Sequence, residues 1–476
     1  MRGESGPPGS ILRKFDLTKR KSEVVLPGVA GYLLSANGQK ALIASPPDSW
    51  SIIDTASPAT SAKKLKTDAI EVKIDPRGEW PQIYREAWRI NRDYFYDPGF
   101  HGSDWNAVKK KYEAFLPHLA TRGDLDRVIG WMLSELAVGH SRYTPGERLH
   151  EPKTVPGGLL GADYEIANGR YRFKKVYGGL NSSPELRSPL SVPGVDVQTG
   201  DYLLAVRGID LRPPTEIFSL FENSAGKSVE ITVGPNADGT GSRTVTVEPL
   251  GSEAALRNLD WVQENIKKVH KATNGRVAYV YVPNTTTLGH AYFKRFFFPQ
   301  ADKDAIIVDE RFNGGGQVAD YYIDHLRRPF TSMWTTRYGE AFRTPGAAIH
   351  GPKVMLINES AGSGGDLLPW MFRKYKLGTL VGKRTWGGLV GILGFPVLMD
   401  GGSVTAPNLA FWTPEDGYAV ENEGVAPDVD VDQWPADVIA GKDPQLDKAI
   451  EIALKQLEKN PPPQMKRPAF PVRVKK

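Results

Sequence analysis

The sequence predicts a multidomain α+β protein, and three observations predict it. Short apolar runs alternate with turns from residue 11 to about 72, apolar residues recur at a spacing of three to four from 78 to 150, and they recur at period two from 153 to 250. From 255 to 460, continuous apolar runs alternate with helical stretches, the pattern of buried parallel strands covered by helices. The 476 residues allow about three domains. The expected divisions are 1–72, 73–152, 153–252 and 253–460, with a basic tail at 461–476.

Composition narrows the function. With 40% hydrophobic and 24% charged residues, the chain is neither mainly disordered nor fibrous. The formal charge of +5 falls on the tail, where Lys466, Arg467, Arg473, Lys475 and Lys476 face no acidic residue. The body is neutral, so nothing points to nucleic acid. The absence of cysteine excludes disulfides, a thiol nucleophile and thiolate metal sites, and no metal or cofactor is expected. No apolar run approaches the ~18 residues of a membrane span. The opening Met1–Ser10 is polar, without the apolar stretch of a signal peptide, and reads as a linker.

The elements follow in order. Gly31–Ser45 reads as strand, Asn-Gly turn, strand, with Trp50–Asp54 as a third strand. That is too little for an independent sheet domain, and it resembles the last blade of a β-propeller. From 78 to 150, Tyr84, Ala87, Trp88 and Asn91, then Val128, Trp131, Met132 and Glu135, mark the buried faces of a small helical domain. Asp97-Pro-Gly99 breaks its first helix, and Ser103 or Asp104 caps the next.

Between 153 and 250, Tyr202–Val206 and Ser228–Val233 read as strands, with a helix near Pro214–Phe221. The glycine-rich Gly157–Gly161 before a strand resembles the loop of a PDZ domain. In such a domain, backbone N–H groups receive a peptide's terminal carboxylate and the peptide adds a strand. Leu159, Leu160 and Gly161 would form that loop; the bland alternative is a β-rich spacer. In the last domain, Val277–Val282, Ala305–Asp309 and Val354–Asn358 are the buried strands, with helices near Val318–Leu326 and Leu367–Tyr375.

Three loops of the last domain carry the chemistry. Asp309–Gly316 leaves a strand with three consecutive glycines, which allow a sharp turn and bare N–H groups. It has neither a phosphate-loop nor a dinucleotide pattern. Asn358–Asp366 joins a strand to a helix and puts Ser363 at the helix N-terminus, where unpaired N–H groups favour an attacking serine and a developing oxyanion. Taken alone, Ser363 reads better as a helix cap than as a nucleophile. Ser360 is a rival with weaker flanking glycines. Val420–Asp428 places Glu421 and Glu423 in a turn. Of the eight histidines, His101, His118, His150, His270, His290, His325 and His350 have no distinctive context, while His140 follows a predicted helix.

Taken together, these residues resemble the tricorn proteases. The resemblance rests on Asp75–Trp80, Glu86–Arg89, Arg92–Asp97, His101–Trp105, Arg311–Gly316, Gly382–Gly388 and Glu421–Asp428, and runs from about residue 30 to 455. It implies a propeller remnant, a small helical domain, a PDZ-like domain and a crotonase-like α/β catalytic domain. It also implies a serine peptidase that trims oligopeptides in the cytoplasm as a homo-oligomer, a hexamer in the family. Carried over, Ser363 is the nucleophile, His140 the general base and Glu421 the carboxylate of the relay. The N–H groups of Gly316 and Gly364 form the oxyanion hole. The region from Arg327 to His350 would contribute to the pocket for the residue before the cut.

Two positions depart from the family. Gly139 stands where a serine usually precedes the histidine, and Gly364 where an acidic residue often follows the nucleophile. Tail-specific peptidases share the α/β fold and a PDZ but use a lysine base in a Thr-x-Gly-Lys-Gly turn. Here that turn is Thr385-Trp-Gly-Gly-Leu389, with Gly388 in the lysine's place. A catalytically weak PDZ-containing peptide binder is the alternative reading. Acyl-CoA chemistry on the same fold would need neither His140 nor Glu421.

Overall fold

The computed structural model describes residues 5–46, 49–57, 61–148, 152–393, 395–462 and 465–474. His150 and the tail's Lys475 and Lys476 lie outside the described residues. The chain divides into two compact units, residues 1–79 and 80–476.

In the first unit, five antiparallel strands pair in chain order: β1 (Ser5–Asp16), β2 (Lys21–Leu34), β3 (Lys40–Ser45), β4 (Ser49–Asp54) and β5 (Lys63–Lys64). The β2–β3 hairpin closes with Leu34 opposite Ala41, around Gly38 at φ +69°. Val29, Ala41, Ile43 and Ile53 are buried on one face. The opening expected to be a linker is strand from Ser5 onward. Pairing across the ladder, which a polar sequence does not advertise, decides it.

The second unit begins with helices. Helix α1 (Pro76–Tyr94) buries Ile83, Tyr84, Ala87, Ile90 and Asn91 on one stripe. Asp104 caps α2 (Trp105–Glu113) by accepting from Asn106 N at 3.1 Å and Ala107 N at 2.9 Å. Thr121 and Asp124 form a capping box on α3 (Arg122–Ser134). The buried face of α3 is Leu125, Val128, Ile129, Met132 and Leu133. Trp131, expected on that face, is 45% exposed and packs its edge on Phe115 instead. Leu398, Val404 and Ala406 join this helical core, and Tyr143–Thr144 pairs antiparallel with Ser403–Val404. This pairing fastens the helices to the last domain and sets the position of the segment 135–142.

Residues 158–250 form an antiparallel sheet of β6 (Ala162–Ala167), β7 (Arg170–Val176), β8 (Tyr202–Val206), β9 (Ile209–Asp210), β10 (Val229–Gly234) and β11 (Arg243–Val247). The order is β11-β10-β8-β7-β6, with β9 on β8. The helix expected near Pro214–Phe221 is a 3-10 turn, Ile217–Phe221.

The last domain is a five-stranded parallel sheet in chain order: β12 (Val277–Tyr281), β13 (Ala305–Asp309), β14 (Lys353–Ile357), β15 (Thr379–Gly382) and β16 (Val429–Asp430). Its helices are α4 (Ala254–Ala272), α5 (Thr287–Phe297), α6 (Ala319–Leu326), α7 (Gly364–Lys374) and α8 (Pro444–Lys459). Both faces of the sheet are covered. One core joins Phe293, Tyr322, Leu368 and Phe372; the other joins Val262, Leu446, Ala449 and Ala453. This accounts for the unbroken apolar strands. The loops after β13, β14 and β15 all leave from the carboxyl end of the sheet, where ligands bind in open α/β folds. No helix among the described residues is long and apolar enough to cross a membrane.

Candidate active site

The loop from β14 to α7 makes a sharp elbow at Ser363. The residue has φ +59° and ψ −116°, in the left-handed half of the map that a non-glycine seldom occupies. Such strand–turn–helix elbows expose a nucleophile at the edge of a sheet. The elbow is held by Asp366, which is fully buried. Ser363 N donates to Asp366 Oδ2 at 2.8 Å, and Asp366 N donates to Ser363 O at 2.9 Å. The same carboxylate accepts from Thr385 Oγ1 at 2.5 Å, Gly387 N at 2.8 Å and Gly388 N at 3.1 Å. Burial pushes the Asp366 carboxyl up, and these four donors pull against that shift. Ser360, the rival nucleophile, is exposed in the preceding turn.

The glycine loop after β13 lies directly against this elbow. A Cβ on Gly315 would fall 2.7 Å from Ser363 Cβ, and one on Gly316 would fall 2.4 Å from Thr285 O. Only glycine allows so close an approach. Accounting for the amides identifies the open ones. Gly314 N donates to Pro283 O, Gly315 N to Asn313 Oδ1, and Gly365 N to Gly362 O. Neither Gly316 N nor Gly364 N donates to any group among the described residues. The two glycines are in contact, since a Cβ on Gly364 would lie 2.8 Å from Gly316 N.

His140 follows α3 at φ +51°, and its backbone oxygen accepts from Thr405 Oγ1. The half-buried imidazole packs on Trp386 with ring centroids 5.2 Å apart. Its Nδ1 is buried without a partner among the described residues. Burial lowers the His140 pKa below the ordinary 6.5; nearby Arg142 adds to this, and Glu421 opposes it. The ring is therefore neutral, and able to accept a proton, at pH 7.

Glu421 is held by three backbone amides. Oε1 accepts from Gly139 N at 2.6 Å; Oε2 accepts from Leu389 N at 2.7 Å and Val390 N at 2.8 Å. Asn422 Nδ2 adds a bond to Ala137 O at 2.7 Å. A Cβ on Gly139 would stand 3.0 Å from Gly388 Cα and 3.2 Å from Glu421 Oε1. The glycine at this position thus lets its own N–H reach the carboxylate where a larger residue would be crowded.

The Trp386 indole packs on His140 and lies against Gly388 and against Gly362, the chain neighbour of Ser363; a Cβ on Gly139 would meet both that indole, at 3.3 Å, and Glu421 Oε1, at 3.2 Å. No hydrogen bond joins His140 to Ser363 or to Glu421 among the described residues. Sequence reasoning missed Asp366 and Trp386. Trp386 lay within the Gly382–Gly388 motif, and Asp366 at the third position of a helix, where capping-box acids stand.

The remaining expected residues lie elsewhere. The stretch from Arg327 to His350 contains a hairpin, Ser332–Trp334 with Phe342–Thr344. It borders a cavity of about 790 Å³ whose walls include Phe330, Met333 and Phe342 but none of Ser363, His140 or Glu421. Of the PDZ-like loop, Leu159 pairs through its backbone with Leu250, Leu160 is buried, and Gly161 N donates to Glu253 Oε1 at 2.8 Å. The Gly161 amide, expected to be open to a peptide, is occupied from within the chain, because the N-terminus of α4 comes up against it.

The parallel α/β sheet with its half-buried Ser363 elbow, preceded by a PDZ-like sheet, is similar to the serine-type peptidases of family S41. Residues 276–431 match peptidase family S41, residues 158–252 the tricorn protease PDZ domain, and residues 76–134 the tricorn protease C1 domain. The chain is 34% identical over 466 residues to tricorn protease homolog 1 of Streptomyces coelicolor, covering 96% of this chain and 43% of that protein. It is 35% identical over 463 residues to a putative tricorn-like protease C-terminal subunit of Sulfurisphaera tokodaii, covering 95% and 53%. The crystal structure of the tricorn protease superposes with a TM-score of 0.84 at 30% identity, covering 94% of this chain and 43% of that one. The chain carries matches to the tricorn PDZ and C1 domains and to an S41 peptidase domain, and it is similar to the tricorn proteases along about 95% of its own length. It spans about half the length of the curated relatives it matches.

Proposed function

We propose that this chain hydrolyses peptide bonds of oligopeptides through Ser363, His140 and Glu421. The observation that carries the reading is the strained Ser363 elbow beside two unpartnered amides, Gly316 N and Gly364 N. Ser363 Oγ attacks the carbonyl carbon, and His140 accepts its proton. The two amides receive the oxyanion, and the protonated His140 then gives its proton to the leaving amine. Water completes the cycle by the same route. Glu421, held by its three amides, stabilises the imidazolium; it and His140 must close a hydrogen bond when substrate binds, as catalytic contacts tighten from apo geometry. The first unit is the end of a β-propeller, the α/β domain is crotonase-like, and the working form is a cytoplasmic homo-oligomer, a hexamer by family resemblance.

A second reading, a catalytically weak PDZ-containing peptide binder, draws on the His140 Nδ1 that lacks a partner. A biotinylated fluorophosphonate separates the two. Labelling of the parent chain, abolished in folded Ser363→Ala and in Ser363-containing His140→Ala, is the expected result. A folded parent chain that takes no label would sink the peptidase reading.

A further inference from the structure

The loop before β6 ends in two backbone amides aimed at one carboxylate. Gly161 N lies 2.8 Å and Ala162 N 3.3 Å from Glu253 Oε1. Gly161 sits at φ +74°, so the chain turns there and both N–H groups serve the same side. The acceptor lies just outside the PDZ match, which ends at residue 252. Glu253 stands at the N-terminus of α4 and is 8% exposed. One turn further on, Arg257 grips the other oxygen, with Nε 2.8 Å from Glu253 Oε2 and a terminal nitrogen at 2.6 Å. Arg257 is itself fixed by Asp163 at 2.8 Å and by Tyr177 Oη at 2.8 Å. Leu256 closes the apolar side, for a Cβ on Gly161 would come 3.0 Å from its Cδ1.

Two converging amides and a guanidinium form a donor set for a carboxylate. A buried glutamate that accepts from all three occupies that set as a ligand would. We propose that Gly161 N, Ala162 N and Arg257 form a composite site for the C-terminal carboxylate of a peptide, filled at rest by the chain's own Glu253. A peptide enters only by displacing Glu253, and Arg257 then turns its guanidinium to the newcomer while Asp163 keeps hold of it. Glu253 is tethered one residue from the domain, so it competes at a high effective concentration, and the open fraction sets the apparent affinity. The inference rests on reading residues 158–252 as a peptide-binding PDZ domain and is independent of the catalytic proposal.

The test uses the full chain carrying Ser363→Ala, so that the probe is not cut and loss of binding says nothing of catalysis. The probe is a fluorescein-labelled heptapeptide ending in valine with a free carboxylate, beside the same peptide as its C-terminal amide, read by anisotropy. Glu253→Ala is expected to bind the free acid at least about tenfold more tightly than its parent, the size of one charge-assisted competitor removed. The amide should bind no better. Adding Arg257→Ala should remove the gain. Glu253→Gln keeps the shape without the charge; it should show a smaller gain of the same sign, and it serves if the alanine variant melts early. Equal binding by parent and Glu253 variants, equal binding of acid and amide, or no binding by any folded variant would each overturn the proposal.

Discussion

Two loops of this molecule offer backbone amides to negative charge, and their states differ. The Gly158–Ala162 loop and the Gly314–Gly316 loop with Gly364 both use glycines at positive φ or in close contact to converge N–H groups. In the first, Gly161 N and Ala162 N are filled by Glu253. In the second, Gly316 N and Gly364 N have no acceptor among the described residues. Buried amides without partners are unfavourable, and surrounding structure must hold them so. Here the Asp366 network does so, by fixing the Ser363 elbow and the Thr385–Gly388 turn together. A site that must favour a transient oxyanion loses its advantage if a resident anion fills it. A binding loop filled at rest by a resident carboxylate stays closed until a competing carboxylate displaces it.

The comparison can be sharpened by substitution. The largest effect is expected at Glu421, a third carboxylate held by amides, but one that in the proposed relay acts through His140. Glu421→Gln should lower kcat/KM by roughly 10²–10⁴, as loss of a triad carboxylate does. Unchanged kcat/KM in a folded variant would remove Glu421 from the relay. Next comes the same change in each loop. A Cβ at Gly316 meets Thr285 O at 2.4 Å, with φ at +137°, so Gly316→Ala must move the amide. Its kcat should fall about 10²–10³-fold, the scale of one oxyanion donor. At Gly161 the Cβ meets only the end of a leucine side chain at 3.0 Å. Gly161→Ala should appear in the thermal melt as a loss of about 1 kcal/mol from the positive φ.

The smallest effect concerns pH. In the proposed mechanism His140 acts as a base when neutral, and burial with Arg142 holds its pKa below the ordinary value. The kcat/KM profile should therefore rise through that lowered pKa and be flat at neutral pH. Arg142→Gln removes a cation that disfavours the imidazolium. The pKa should rise and the acid limb move to higher pH. A limb that stays in place or moves to lower pH would mean that Arg142 does not act on the base.

How much of this was legible beforehand varies by region. The strand runs 277–282 and 305–309 and the helix start at Ser363 could be read, because burial on both faces and a glycine-flanked helix entry leave local marks. Trp131 was misread because two adjacent faces of one helix share the same period. The strand from Ser5 was missed because its residues are polar and its pairing lies in β2. The Gly161 amide was read as open because its occupant is 92 residues away in the chain.

Local sequence dictates the order of elements, the neutral body with its basic tail, and the three loops that leave the sheet edge. Each depends on residues adjacent in the chain, where hydrophobic period, glycine freedom and helix entry act. The tertiary structure alone decided that Gly139 N meets Glu421 across 282 residues, that Asp366 ties Ser363 to the Thr385–Gly388 turn, and that Glu253 fills the PDZ loop. Such contacts arise when packing cores bring distant segments together, and their hydrogen bonds leave no periodic trace in either segment.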